Sequence, residues 1–397
     1  MSQAEVVAPI DLCTVDPKSV PIEAIDIAQP ELFAKRKHWA YFERLRKEDP
    51  VHYSVSEEFG GYWSVTRYED ILHVDTNHKI FSSEPTIVLP DLEEDFAPEM
   101  FIAMDQPKHD VQRKVVSPAV APPALADLED LIRERVGKVL DSLPVGETFN
   151  WVDKVSIEIT TQMLATLFDF PFEERRKLTF WSDVTTAGPD GGDTGLDEDE
   201  RRAELLVCLE TFSKLLAERA QLPPSRDFIS MMAHDPQMSK QQPFELLGNL
   251  MLLIVGGNDT TRNSMSGGVL ALNQFPAEYA KLKADPSLIP NMVSEIIRWQ
   301  TPLAYMRRTA LEDTELGGKK IKKGDKLAMW YVSGNRDETA IDRANEFLID
   351  RPNARKHLSF GFGIHRCMGN RLAEMQIRIL WEEILKRFDK VEVVGKP

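Results

Sequence analysis

The chain has 397 residues, 42% hydrophobic and 28% charged, as in a globular protein with a full core. Its formal charge of −16 argues against a nucleic-acid partner, because binding phosphates calls for a basic face. Three scattered cysteines, Cys13, Cys208 and Cys367, give neither a disulfide framework nor a CxxC pair, so a reducing compartment is expected and a zinc site is not.

The first residues include Glu5, Asp11 and Asp16 and show neither a basic nor an apolar leader region. The longest apolar run, 250–255, is far short of the ~20 residues that cross a bilayer. A cytoplasmic protein with no membrane span is expected, and nothing in the chain reads as a linker between domains.

In chain order, two alternating runs at 51–55 and 62–65 flank Glu57-Glu58-Phe59-Gly60-Gly61 and predict a hairpin. From about residue 108 to 300 apolar residues recur three and four apart, which predicts helices. The cluster Gly188-Pro189-Asp190-Gly191-Gly192-Asp193-Thr194-Gly195 breaks that pattern, and the acidic residues behind it suit a helix start. The run 326–332 predicts another strand in the same small sheet. The fold class is therefore mostly α with a small β-sheet.

A long helix is predicted over about 244–272, with Gly256-Gly257-Asn258-Asp259-Thr260-Thr261 inside it. Two mid-helix glycines cost ~1 kcal/mol each against alanine and so want a reason. Thr260 is spaced to bond back to the Gly256 carbonyl, distorting the helix and opening a groove that can hold dioxygen and water. Asp259 and Thr260 suit the acid and the water-orienting hydroxyl that proton delivery during oxygen activation needs. Read alone, the pair is more simply a back-bonded threonine beside an exposed aspartate.

The most informative run is Phe360-Gly361-Phe362-Gly363-Ile364-His365-Arg366-Cys367-Met368-Gly369, followed by an amphipathic helix from about Asn370. Its glycines let backbone approach a flat macrocycle, and amides with the positive helix end favour a thiolate, as one-cysteine ligation of a heme iron requires. The turn alone leaves open a buried free cysteine.

The spacing Phe-x-x-Gly-x-x-x-Cys-x-Gly from Phe360 to Gly369 resembles the heme-binding signature of cytochrome P450 monooxygenases. Three more motifs stand in that family's order: His109-x-x-x-Arg113, the Gly256 to Thr261 run, and Glu295-x-x-Arg298. The stretches 104–118, 252–265, 294–303 and 357–387 look closer still to the bacterial medium-chain alkane terminal hydroxylases of the family.

The resemblance implies a cytochrome P450 fold in a single heme domain at 33–397, behind an N-terminal extension at 1–32. It implies one further hairpin after residue 397, its turn contacting substrate, and a lid-like role for the 188–195 loop. The cofactor implied is heme b with Cys367 as axial thiolate. His109, Arg113, Arg308 and His365 match the residues that hold its propionates, with Arg307 a competitor for Arg308, while Gly256, Phe360, Gly363 and Gly369 match positions against the macrocycle. Glu295 and Arg298, closed by Arg351, match a buried structural network behind the cysteine loop.

By family position Ile87, Val88, Leu89, Val255, Gly256, Leu303, Ala304 and Met306 are the pocket walls, all apolar. The activity implied is insertion of one oxygen atom from O2 into the terminal C–H bond of medium-chain n-alkanes, with fatty acids as further substrates. Electrons are expected from a separate ferredoxin and ferredoxin reductase, docking on a patch of Lys108, Arg113, Lys114, Arg355, Lys356 and Arg366. A hydroxylase of another apolar substrate such as a terpene, a peroxide-driven peroxygenase and a heme sensor without turnover are the competing readings.

Overall fold

In the computed structural model, residues 10–91, 96–187 and 192–396 are described. The chain opens with α1 (Pro30–Ala34), α2 (His38–Glu48), β1 (Val51–Ser56), β2 (Gly60–Val65), α3 (Tyr68–Thr76) and β3 (Phe81–Ser82). A helical stretch follows: α4 (Lys108–Val116), α5 (Pro122–Asp141), α6 (Glu158–Phe168), α7 (Arg176–Thr186), α8 (Glu198–Arg219), α9 (Phe228–His234), α10 (Pro243–Gln274), α11 (Pro276–Ala284) and α12 (Ile289–Gln300). Then come β4 (Met306–Ala310), β5 (Thr314–Leu316), β6 (Lys319–Ile321), β7 (Lys326–Met329), α13 (Tyr331–Gly334) and α14 (Asn370–Arg387). The expected fold class holds. No described helix is long and apolar enough to cross a membrane.

The chain forms two compact units. One takes 1–92, 303–345 and 361–365; the other takes 93–302, 346–360 and 366–397.

The first unit holds the sheet, in the order β1-β2-β7-β4-β3. The predicted hairpin is β1 and β2, antiparallel with Val51 opposite Val65. β7 joins β2 in parallel, Trp63 opposite Leu327, and β4 closes on β7 antiparallel, Met306 opposite Met329. The run 326–332 is strand only to Met329. Trp330 N–H makes one last bond to the Val65 carbonyl, and the amides of Ser333 and Gly334 then turn back to the Trp330 carbonyl as α13 begins. Residues 10–32 belong to this unit's core, with Leu12, Ile27 and Leu32 fully buried around Tyr41, Phe42 and Trp330.

The second unit is built on α10, with α6, α7 and α12 packed along it and α14 against α5 and α12. Its core runs from Phe101 to Ile384 through Phe168, Phe212, Leu272 and Trp381. In α8 the expected acidic start is a capping box: Asp197 accepts from the Glu200 N–H at 2.9 Å and Glu200 accepts from the Asp197 N–H at 3.1 Å. Of the loop before it, residues 188–191 lie outside the described residues, and Gly192–Thr194 is a single 3-10 turn.

Candidate active site

α10 carries the first group of candidate residues. The helix runs unbroken through both glycines, and Thr260 Oγ1 donates to the Gly256 carbonyl at 3.2 Å, the expected back-bond. The two glycines differ in surroundings. A Cβ on Gly257 would lie 2.6 Å from Leu164 Cδ2 of α6, whereas a Cβ on Gly256 would meet nothing within 4 Å. Helix α10 therefore presents an opening at Gly256, beside Val255 and one turn from Thr260.

Asp259 is not a lone acid. Arg262, one turn along α10, donates to its carboxylate and also reaches Asp183 Oδ1 on α7 at 3.0 Å. Burial pushes the Asp259 carboxyl up, the Arg262 guanidinium pulls it down, and the Asp183 charge pushes it up again. The net rise suits a group that must both hold and release a proton. No motif in the sequence marks Arg262 or Asp183.

In the second unit Cys367 closes its loop by donating its amide to the Phe360 carbonyl at 2.8 Å. Its side chain keeps accessible surface although protein surrounds the sulfur. Burial pushes the thiol up; the Gly369 amide, the Arg113 and Arg366 guanidiniums and the Asn370 amide pull it down. Arg113 of α4 donates to the carbonyl of Arg366, next to the cysteine. His109, one turn earlier on the same face, is buried, with Nδ1 2.8 Å from Asp110 Oδ1 and Nε2 turned inward.

Behind this loop, Glu295 is fully buried. It accepts from Arg298 Nε at 2.8 Å and Nη2 at 2.7 Å, from Arg351 Nε at 2.9 Å and from the Leu348 amide at 2.9 Å. Both arginines also donate to the Glu346 carbonyl, at 2.9 and 2.8 Å. This is the expected network, with four bonds satisfying one carboxylate.

The first unit holds His365, buried, and Arg308 on β4. Arg308 Nη2 is 2.9 Å from Asp75 Oδ1 at the end of α3, and both side chains are almost fully enclosed. Asp75 Oδ2 also accepts the Phe362 amide at 2.7 Å. Gly363, at φ +64, passes so close to the Asp75 carbonyl that a Cβ would collide with it. One aspartate thus ties the Arg308 guanidinium to the entry of the cysteine loop, a role that sequence reasoning missed. Strand alternation also separates the two arginines: Arg308 shares its face of β4 with Met306, and Arg307 points the other way.

Among the candidate wall residues, Ile87, Leu303, Ala304 and Met306 are partly accessible and Val88 is exposed. Leu89 is 1% exposed and packs in the first unit's core with Tyr305 and Trp330, so it supports its two neighbours from beneath.

The residues fit heme b. Cys367 offers one sulfur under two amides and two guanidiniums, and no described group of three or more His, Cys, Asp or Glu side chains gathers to hold a bare ion. An iron held by a single protein sulfur needs a ring to supply its other donors. The fold and this donor set define a heme-thiolate oxygenase.

Comparison with known proteins agrees. Residues 208–394 match the family model described as Cytochrome P450. CYP153D17 from Sphingomonas sp. PAMC 26605 superposes with a TM-score of 0.88 at 50% identity, covering 94% of each chain. Cytochrome P450-153 from Novosphingobium aromaticivorans gives 0.87 at 47% identity over the same shares. Linalool 8-monooxygenase from Pseudomonas putida is 34% identical over 94% of this chain and 95% of that protein. The chain belongs to the cytochrome P450 family, whose members carry heme b on a cysteine thiolate. It is a monooxygenase of the hydroxylase type.

Proposed function

We propose that this chain hydroxylates the terminal methyl of medium-chain n-alkanes, and the ω-position of fatty acids, to give primary alcohols. The observation that carries this reading is the bond from Thr260 to the Gly256 carbonyl beside the opening on α10, with Asp259 next to it. The balance is R–H + O2 + 2e⁻ + 2H⁺ → R–OH + H2O.

By their match to the family, Cys367, His109 and Arg113 of the second unit and Arg308 and His365 of the first would hold heme b, which when bound would supply the reduction of O2 and the transfer of one oxygen atom. Asp259 holds a proton and passes it inward as its contact with Arg262 exchanges. The Thr260 hydroxyl orients the water that carries the proton. Each candidate wall residue, Ile87, Val88, Leu303, Ala304 and Met306 in the first unit and Val255 in the second, is apolar and offers a hydrocarbon no polar partner, so only shape selects the chain end. The primary C–H bond is the strongest in the chain, which calls for a narrow channel that admits the end alone.

Electrons come from a ferredoxin and its reductase, and the enzyme works in the cytoplasm beside them. Lys114 is exposed for docking, while Lys108 and Arg355 are partly offset by Glu99 and Glu374. A terpene hydroxylase is the second reading, favoured by the likeness to linalool 8-monooxygenase.

The test is the reduced, carbon monoxide difference spectrum, followed by titration with n-octane and with linalool and by product analysis. A strongly red-shifted Soret band, a low- to high-spin shift with octane and 1-octanol made with a ferredoxin system are expected. A spin shift with linalool alone, or turnover with hydrogen peroxide and none with ferredoxin, would overturn the reading.

A further inference from the structure

Arg307 is 3% exposed, although a lone arginine is among the least suited residues to burial. It faces away from Arg308, and its amide and guanidinium donate to one irregular segment in the same unit. Its amide donates to the Ile87 carbonyl at 2.7 Å, and Nη1 donates to the Leu89 carbonyl at 3.1 Å. The same Nη1 reaches Asp91 Oδ1 at 2.8 Å and lies 3.5 Å from the Val88 carbonyl. From the other side the Leu89 amide donates to the Tyr305 hydroxyl at 3.1 Å, and Asp91 Oδ2 accepts from Lys326 Nζ of β7 at 2.7 Å.

Residues 87–89 lie in no helix or strand. β4 supplies partners for two of their carbonyls, the Arg307 amide for Ile87 and the Arg307 guanidinium for Leu89, which hold the backbone while Ile87 and Val88 keep accessible apolar surface. The Asp91 carboxylate is 67% exposed, so it adds little by itself and the guanidinium bond to the Leu89 carbonyl dominates.

We propose that Arg307 is a positioning residue for regioselectivity: it fixes the 87–89 segment as a rigid wall, so that an alkane presents its terminal carbon rather than the next one. This rests on the reading that the segment lines a channel for terminal hydroxylation. Rigidity is what the role demands, since discrimination between adjacent carbons fails when a wall moves by a fraction of a C–C bond length.

The experiment compares wild type, Arg307→Leu and Asp91→Asn by carbon monoxide difference spectrum, octane spin-shift titration and octanol isomer ratio. Arg307→Leu is expected to keep the red-shifted Soret band, to raise the octane Kd roughly tenfold, the scale of one lost charge-assisted hydrogen bond, and to make 2-octanol alongside 1-octanol. Asp91→Asn is expected to stay near wild type. If wild type itself makes mainly 2- and 3-octanol, the channel reading beneath the inference falls. If wild type makes 1-octanol and Arg307→Leu keeps both its Kd and its isomer ratio, the assignment of Arg307 alone is overturned. Should Arg307→Leu lose its heme, Arg307→Lys is followed by hydrogen exchange: faster exchange at 86–91 with α3 unchanged supports the role, and unchanged exchange at 86–91 refutes it.

Discussion

The Thr260 hydroxyl donates to the Gly256 carbonyl one turn back at 3.2 Å, so its oxygen is held at a fixed point on α10. Thr260→Ala removes that point without touching the cysteine loop. Heme content and octane binding are expected to persist while product formed per reductant consumed falls several-fold, with peroxide appearing instead. Full coupling in the variant would contradict the assigned role.

Asp183 acts on the acid through Arg262. Replacing it with asparagine removes a charge that pushes the Asp259 carboxyl up and frees Arg262 to pull it down. Both changes lower the pH at which Asp259 loses its proton, so the alkaline limb of the turnover profile should move to lower pH. Asp259→Asn should slow turnover on the order of 10²-fold, the usual scale of one positioned acid. The paired pH profiles provide the check.

Two groups of the second unit should make the fold acid-sensitive in windows that begin at different pH. Burial, with Arg298, Arg366 and Arg355 nearby, draws the His357 imidazole from 6.5 down to about 3. Below pH 6.5 the unfolded chain takes up a proton there and the folded chain does not, so stability falls by ~1.4 kcal/mol per pH unit. Burial pushes the Glu383 carboxyl up, but bonds from Lys386, Arg133 and Arg387 outweigh it and bring it from 4.5 to about 2. Its contribution is complete above pH 4.5 and disappears as pH drops toward 2. Urea midpoints against pH should flatten between 6.5 and about 3 for His357→Leu, and only below 4.5 for Glu383→Gln.

Glu295→Ala leaves Arg298 and Arg351 buried without their carboxylate, at a cost of roughly 3–5 kcal/mol. Asp75→Ala does the same to Arg308 and releases the Phe362 amide. Both proteins should purify with less heme per chain than wild type, read as the ratio of Soret to protein absorbance. Full occupancy in Asp75→Ala would show that the Arg308 position does not depend on its partner.

Periodicity and motif spacing made the hairpin, the long α10 and the helix after Cys367 legible to within a few residues, because each depends on local pattern. Glu295 and Arg298 were legible as well, three apart on one helix. Asp75 was not: it stands in an ordinary amphipathic helix, and its partners Arg308 and Phe362 lie more than two hundred positions away. That Arg307 and Arg308 take opposite faces needed β4 itself, a strand that the sequence pattern did not mark. Leu89 shows the same limit from the other direction, since an apolar residue in a loop reads alike whether it touches a ligand or a core.

The glycines of α10 set different terms for change. Gly248, Gly257, Gly267 and Gly268 each stand against a neighbour, the Glu99 backbone in the first case and the side chains of Leu164, Gln300 and Ile296 in the others. Gly256 faces none. Alanine there gains ~1 kcal/mol of helix propensity but sets its methyl on the side that the resemblance gives to the macrocycle and oxygen. At Gly256 the demands of the fold and of the site pull in opposite directions, and the helix gives up stability to keep that space open.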